Sequence, residues 1–206
     1  GKGIEWNGAS VKPLRSPKPI PIYYSAFGLK ALTLAGEQAD GVILFAGEHH
    51  LDGVAQRIAT VRDAATKAAR KADSIDIWVV SYASVRSTRD EALEDLGAFI
   101  VVNGMTFRTP ETLAQVPTQF RNKILELQAR YDSTEHVVVG GKNVALMKEL
   151  GLGEYLSEFD TLAGPVENAT TMMRALEGMG VSTFIAALPG HAAPLETIRW
   201  LADAWR

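Results

Sequence analysis

Four short stretches of this 206-residue chain hold residues whose types and spacing can do chemistry. In Glu48-His49-His50-Leu51-Asp52, two imidazoles stand among two carboxylates, all of them metal-ligand types. Adjacent histidines do not share one helix face, however, and no third histidine lies nearby, so metal binding is not the expected chemistry. With Phe45 just before it, His49 can instead wall a substrate pocket, its charge changing near neutral pH; a solvated loop uses the same residues equally well. His191, in Pro189-Gly190-His191, divides between the same two roles, substrate-facing or surface. The turn Ser25-Ala26-Phe27-Gly28 offers a hydroxyl, small side chains and, where a helix begins after it, free amides for a phosphate or the carbonyl edge of a ring. Gly164 precedes another helix and can admit an anionic group or act as a neutral cap. The chain has no Cys and no Gly-x-Ser-x-Gly turn, which removes thiolate chemistry and disfavours a hydrolase.

Composition narrows the partners. A net charge of −3 leaves no cationic excess for a phosphate backbone, so nucleic acid is not expected. The longest apolar runs, residues 41–47 and 181–190, are far shorter than the roughly 20 residues that cross a bilayer. An apolar fraction of 47% with 22% charged residues fits a folded globular chain, here read as one domain over residues 1–206, and a cytoplasmic enzyme is compatible with it. The start, Gly1-Lys2-Gly3, does not look like an original amino terminus, although a trimmed tag scar explains it as well.

The elements that must hold these residues alternate. After a proline-rich lead-in over residues 1–19, the apolar and aromatic residues 20–24 read as a strand. Leu29, Leu32, Leu34, Ala35 and Ala39 then trace a helix, and Val42-Ile43-Leu44-Phe45 is the continuous apolar run of a buried parallel strand. A second stripe, Val54, Ile58, Val61, Ala65 and Ala68, leads to a strand at 75–80. Thr88-Arg89-Asp90-Glu91 has the form of a capping box and predicts a helix over about 90–102. Residues 103–160 read as a mostly helical insertion, with helices at 111–130 and 144–150 and only Val137-Val138-Val139 as a weak strand candidate. Pro165 suits a first helical turn, residues 183–188 form the fourth strand, and a helix over about 194–200 closes the chain. Four strands with helical crossovers are parallel neighbours. They fit a small open doubly wound sheet or half of an eightfold barrel, and the lack of a Gly-x-Gly-x-x-Gly turn favours the barrel.

Several strings, in order along the chain, resemble the luciferase-like family and most of all its deazaflavin-dependent branch, typified by methylenetetrahydromethanopterin reductase. Pro21-Ile22-Tyr23-Tyr24-Ser25-Ala26-Phe27-Gly28-Leu29-Lys30-Ala31-Leu32 is similar to that family's fifth strand and turn, with Leu29 where a Pro usually stands. Leu34-Ala35-Gly36-Glu37-Gln38-Ala39-Asp40-Gly41-Val42 resembles its next helix-to-strand passage and is the most specific string. Tyr82-Ala83-Ser84-Val85, Leu162-Ala163-Gly164-Pro165-Val166-Glu167 and Gly180-Val181-Ser182-Thr183-Phe184 resemble the segments around the seventh strand, seventh helix and eighth strand.

The resemblance implies an α/β fold, a (β/α)₈ TIM barrel of which this chain supplies about strands five to eight plus the helical insertion. It implies an oxidoreductase passing hydride between coenzyme F-420 and a small organic substrate, with an FMN-dependent monooxygenase or a noncatalytic flavin-binding half-barrel as alternatives. Ser25, Ala26, Phe27, Gly28 and Gly164 are then the expected cofactor contacts, and Phe45, His49 and His191 the substrate contacts. The catalytic acid or base is expected in the absent half. That half, or a second copy in a homodimer, is the expected partner.

Overall fold

The computed structural model describes residues 4–6, 9–11, 20–188 and 194–204. Two short strands, β1 (Ile4–Trp6) and β2 (Ala9–Val11), pair antiparallel as a separate ribbon that the sequence pattern does not announce. The main sheet holds β3 (Tyr23–Ser25), β4 (Gly41–Phe45), β5 (Asp76–Val85), β6 (Thr161–Gly164) and β7 (Thr183–Ala187), every pairing parallel.

The four expected strands are neighbours in chain order, β3-β4-β5-β7. The unexpected member is β6, which follows directly on the stretch 103–160 that reads as an insertion and precedes the helix signalled by Pro165. Its position follows from the hydrogen bonds of β5. Ala46 N donates to Val80 O, and Tyr82 N donates to Asp160 O. Groups two residues apart on a strand point to the same side, so β6 takes over the edge of β5 where β4 leaves it. The ten residues of β5 make room for both.

One face of the sheet carries Val42, Leu44, Ile77 and Val79, all at most 1% exposed. They pack under α1 (Leu29–Gln38), α2 (Leu51–Lys67), α8 (Val166–Gly178) and α9 (Pro194–Ala204). Helices α1 and α2 touch at Gly36, where a Cβ would lie 2.2 Å from the Val61 carbonyl, so only glycine allows this approach. Arg70 finishes α1, its guanidinium donating to the carbonyls of Gly36 and Ala39 at 2.7 Å each. The other face, with Tyr23, Ile43, Phe45, Trp78, Val80 and Tyr82, is only partly covered. Near the strand starts, Asp76 collects the Tyr23 hydroxyl at 2.6 Å and the Trp78 indole at 2.8 Å, which closes that end with satisfied polar groups.

A second apolar cluster belongs to the segment after β5. There α3 (Arg89–Asn103) begins with the capping box expected from sequence, the Thr88 hydroxyl accepting from Glu91 N and the Glu91 carboxylate accepting from Thr88 N. It packs with α4 (Pro110–Gln115), α5 (Thr118–Arg130), α6 (Lys142–Glu149) and α7 (Gly153–Ser157). The single helix expected over 111–130 is two, because the chain turns out of helix at Val116 and Pro117. Val137-Val138-Val139 is an exposed turn rather than a strand, with Val137 at φ 52°. Among the described residues no helix is long and apolar enough to cross a membrane.

Large apolar side chains stay exposed at the two lateral limits of the sheet. Ile20, Ile22 and Leu29 stand beside β3 and α1, and Leu195 and Ile198 lie on α9. An apolar hollow of about 590 Å³ between β7, α8 and α9 is lined by Met173, Phe184, Ala186, Ile198 and Leu201.

Candidate functional site

The carboxyl ends of β3, β4 and β5 converge on a row of rings. Phe27, in the turn after β3, stacks on Phe45 at 4.9 Å; Phe45 meets Tyr82 of β5 at 6.1 Å, and Tyr82 stacks on Phe99 of α3 at 4.7 Å. Strand register sets this row. Ser25 pairs with Ile43, which brings Phe27, two residues on, level with Phe45, while Phe45 pairs with Val80, so Tyr82 stands two residues farther along β5. The row lies at the end of the sheet where barrel enzymes do their chemistry.

The turn itself is open. Ser25 and Gly28 are exposed, whereas Ala26 is fully buried and bonded through its amide to Ile43 O at 3.2 Å. Gly28 caps α1 without a side-chain acceptor, and the first turn holds no acidic residue, so among the described residues its first amides have no side-chain partner. At φ −95° with nothing within 4 Å of a built Cβ, Gly28 is not required by the chain's own packing.

Beside the row lies a cleft of about 450 Å³. Its apolar walls are Phe27, Phe107 and Phe159, and its polar groups are His50, Arg57, Asn103 and Asp160. The insertion forms one side of it, since Phe107 follows α3 and Thr112 and Gln115 belong to α4. Asn103, buried at the end of α3, donates through its side-chain amide to the carbonyls of Leu156 and Phe159 at 3.1 and 2.7 Å, fixing the segment that carries Asp160. Gly47 packs against the same segment, for a Cβ there would lie 2.7 Å from Asp160 N. Asp160 has φ 51°, a left-handed conformation that aspartate tolerates better than most residues. Burial pushes its carboxyl above the ordinary aspartate range, and the charges of Arg57 and His50 pull it partly back. Tyr82 is likewise pushed up, first by burial and then by Asp160.

The structure gathers some of the expected site residues and separates others. Phe27 lines the cleft, and Phe45 stands behind it in the ring row. His49 turns away, to a separate hollow with Glu48, Asn168 and Met172, where its Nε2 lies 3.4 Å from Glu48. Its neighbour His50 enters the cleft instead and stacks on Phe159 at 4.8 Å. Gly164 is buried at the end of β6 with φ 121°; its carbonyl accepts from Arg86 N, and it does not line the cleft. A Cβ there would meet Asn168 at 3.2 Å and Arg89 at 3.6 Å, so its glycine answers to the backbone and to packing. His191 lies outside the described residues. Arg57 and Asp160 carry no local motif: Arg57 lies within α2, and Asp160 directly precedes β6.

A coenzyme F-420-dependent glucose-6-phosphate dehydrogenase of Nakamurella multipartita is 33% identical over 81 residues, which is 39% of this chain and 24% of that protein. The coenzyme F-420-dependent tetrahydromethanopterin reductase of Methanopyrus kandleri superposes with a TM-score of 0.65 at 20% identity, over 90% of this chain and 50% of that one. A riboflavin lyase solved with modified FMN and riboflavin gives a TM-score of 0.55 at 16% identity, over 98% of this chain and 47% of that one. The fold is therefore that of luciferase-like TIM barrels, and the chain spans about half the length of these structural relatives. The luciferase-like monooxygenase model matches residues 1–183, and with that match across most of its length the chain belongs to the luciferase-like monooxygenase family.

Proposed function

We propose that the chain forms the carboxyl-terminal half of an oxidoreductase that uses coenzyme F-420 or FMN and exchanges hydride with a small organic substrate. The observation that carries this reading is the aromatic row Phe27, Phe45 and Tyr82 standing against the open α1 amino terminus, beside a cleft with both apolar and ionisable walls. The residues present fit such a cofactor. A flat ring finds aromatic surface, and its carbonyl edge or a phosphate finds unspent amides at residues 28–31. Ser25, Ala26, Phe27 and Gly28 hold it, mainly through backbone, while Phe45 sets the depth of the pocket. When bound, the deazaflavin or flavin supplies hydride transfer. The chain's own residues orient the reacting partners, and Thr112 and Gln115 of α4 bound one side of the cleft.

Gly28→Val tests the turn. Nothing among the described residues opposes a side chain there, so the variant folds, and affinity for coenzyme F-420 or FMN in a fluorescence titration of the full-length protein drops about tenfold or more. Unchanged affinity overturns the cofactor turn. Absorbance spectra of protein loaded with each cofactor choose between them, and the reductase-like strings favour the deazaflavin.

The bare lateral limits of the sheet support a further element of this reading, that strands from an amino-terminal half or a second copy complete the barrel. A monomeric 22 kDa species that turns over substrate overturns it.

A further inference from the structure

We propose that Asp160 is the proton donor and acceptor of the cleft and that Arg57 beside it positions a carbonyl- or alcohol-bearing substrate, an inference that rests on the hydride-transfer reading above.

The geometry separates Asp160 from three other partly buried carboxylates. Asp76 is spent on Tyr23 and Trp78, Glu48 on Arg89 and Asn168, and Asp95 on Ser84 and Arg86. Among the described residues, the Asp160 carboxyl makes no hydrogen bond and no ion pair, although Asn103 and Gly47 hold its backbone so that it lines a cleft. Arg57 is also underused, its Nε donating to Gly53 O at 3.2 Å while its terminal amino groups have no bonded partner among the described residues. Two opposite charges in one hollow, neither satisfied, is the arrangement expected of groups that await a ligand.

Among the described residues, charged and titratable groups face Asp160 from three elements and from its own segment. Arg57 comes from α2, His50 from the turn before it, and Tyr82 from β5. Glu158 stands two residues back in the same segment, its carboxylate 3.9 Å from His50. Burial outweighs Arg57 and His50, so the carboxyl holds its proton to higher pH than a free aspartate, as a general acid must. Arg57 can accept nothing and donates only, which suits a substrate oxygen. Phe107 and Phe159 bound the space for an apolar substituent.

In the reducing direction, with a reduced deazaflavin or dihydroflavin as reductant, hydride brings two electrons to the carbonyl carbon. The C=O π pair moves to oxygen, and that oxygen takes the Asp160 proton. Water entering the open cleft reprotonates the carboxylate. In the oxidising direction the alcohol O–H gives its proton to ionised Asp160 as hydride leaves carbon.

The test uses full-length protein and cyclohexanone as the probe ketone. A ¹³C titration of carboxyl-labelled aspartate, with Asp160→Asn to identify the signal, is expected to show Asp160 titrating above the ordinary value of about 4. With reduced cofactor bound, Asp160→Asn lowers the rate of hydride transfer about 100-fold, leaves cofactor affinity unchanged and removes the corresponding limb of the pH profile, and Asp160→Glu restores part of it. Arg57→Ala raises KM more than it lowers kcat. A rate for Asp160→Asn within threefold of wild type, a carboxyl titrating at or below 4, or a cofactor-loaded wild type inert toward the ketone overturns the inference. Wild type that binds neither cofactor overturns the parent reading instead, and the carboxyl titration still decides the acid.

Discussion

Two charged clusters flank the loop that leaves β4, and they are built to opposite rules. In the first, Glu48 is 8% exposed and meets Arg89 and the Asn168 amide, while Arg89 also reaches Glu154, Ser157 and Ala163 O. Every member is satisfied, and the cluster ties the β4 loop, α3, α7, β6 and α8 together. In the second, Arg57 and Asp160 share a solvent-open cleft and neither is saturated. A saturated network contributes to holding the fold, whereas a carboxylate and a guanidinium left short of partners diminish stability and are useful only to something that binds. The glycines follow the same division, since Gly164 at φ 121° is demanded by the first cluster and Gly28 by nothing among the described residues.

The largest effect that sharpens this contrast is Arg89→Ala. Removing the cation leaves Glu48 buried without its charge partner, which costs about 3 kcal/mol or more. In urea unfolding the midpoint is expected to fall sharply, whereas Arg57→Ala shifts it by no more than about 0.5 kcal/mol equivalent. Equal losses in the two variants would erase the distinction between the clusters.

Next in size are the glycines. Gly164→Ala forces a side chain into the left-handed half of backbone space and toward Asn168, at about 1–3 kcal/mol. Gly28→Ala is expected to cost under about 0.5 kcal/mol. Thermal denaturation of the pair reads this directly, and a Gly28 variant as unstable as the Gly164 variant would give the turn a structural duty.

A smaller effect concerns pH. The Asp160 carboxyl is raised in the folded protein, so its contribution to stability is fully present below the unfolded value of about 4 and is lost as pH rises through the higher folded value. Asp160→Asn removes that loss. The variant should therefore equal or exceed wild type in melting temperature at neutral pH, with the difference shrinking toward pH 4. A variant less stable than wild type at neutral pH would show that the carboxylate, once ionised, is well paired after all.

Much of the architecture was readable along the chain, because each sheet element there is local. The run 42–45 between glycines, the stripe Val54, Ile58, Val61 and Ala65, and the box Thr88 to Glu91 each specify an element within one stretch of sequence. Strand β6 escaped since Thr161-Leu162-Ala163-Gly164 is too short to show a period and runs straight into a proline that signals a helix. Val137-Val138-Val139 misled for the converse reason, a β-branched run in a turn with no sheet edge to join.

By itself the sequence determined the parallel arc β3-β4-β5-β7, the helices that cover it, the turn at 25–28 and the family to which these belong, since all are written in periodicity, caps and short contiguous strings. Only the tertiary structure decided which of two adjacent histidines enters the cleft, that Gly164 serves backbone geometry away from it, and that Asp160 meets Arg57. Adjacent side chains diverge according to the φ and ψ of the turn that carries them. Residues distant in the chain meet only through the packing of the elements between them, here the long β5, the Asn103 bridge and the close approach of Gly47.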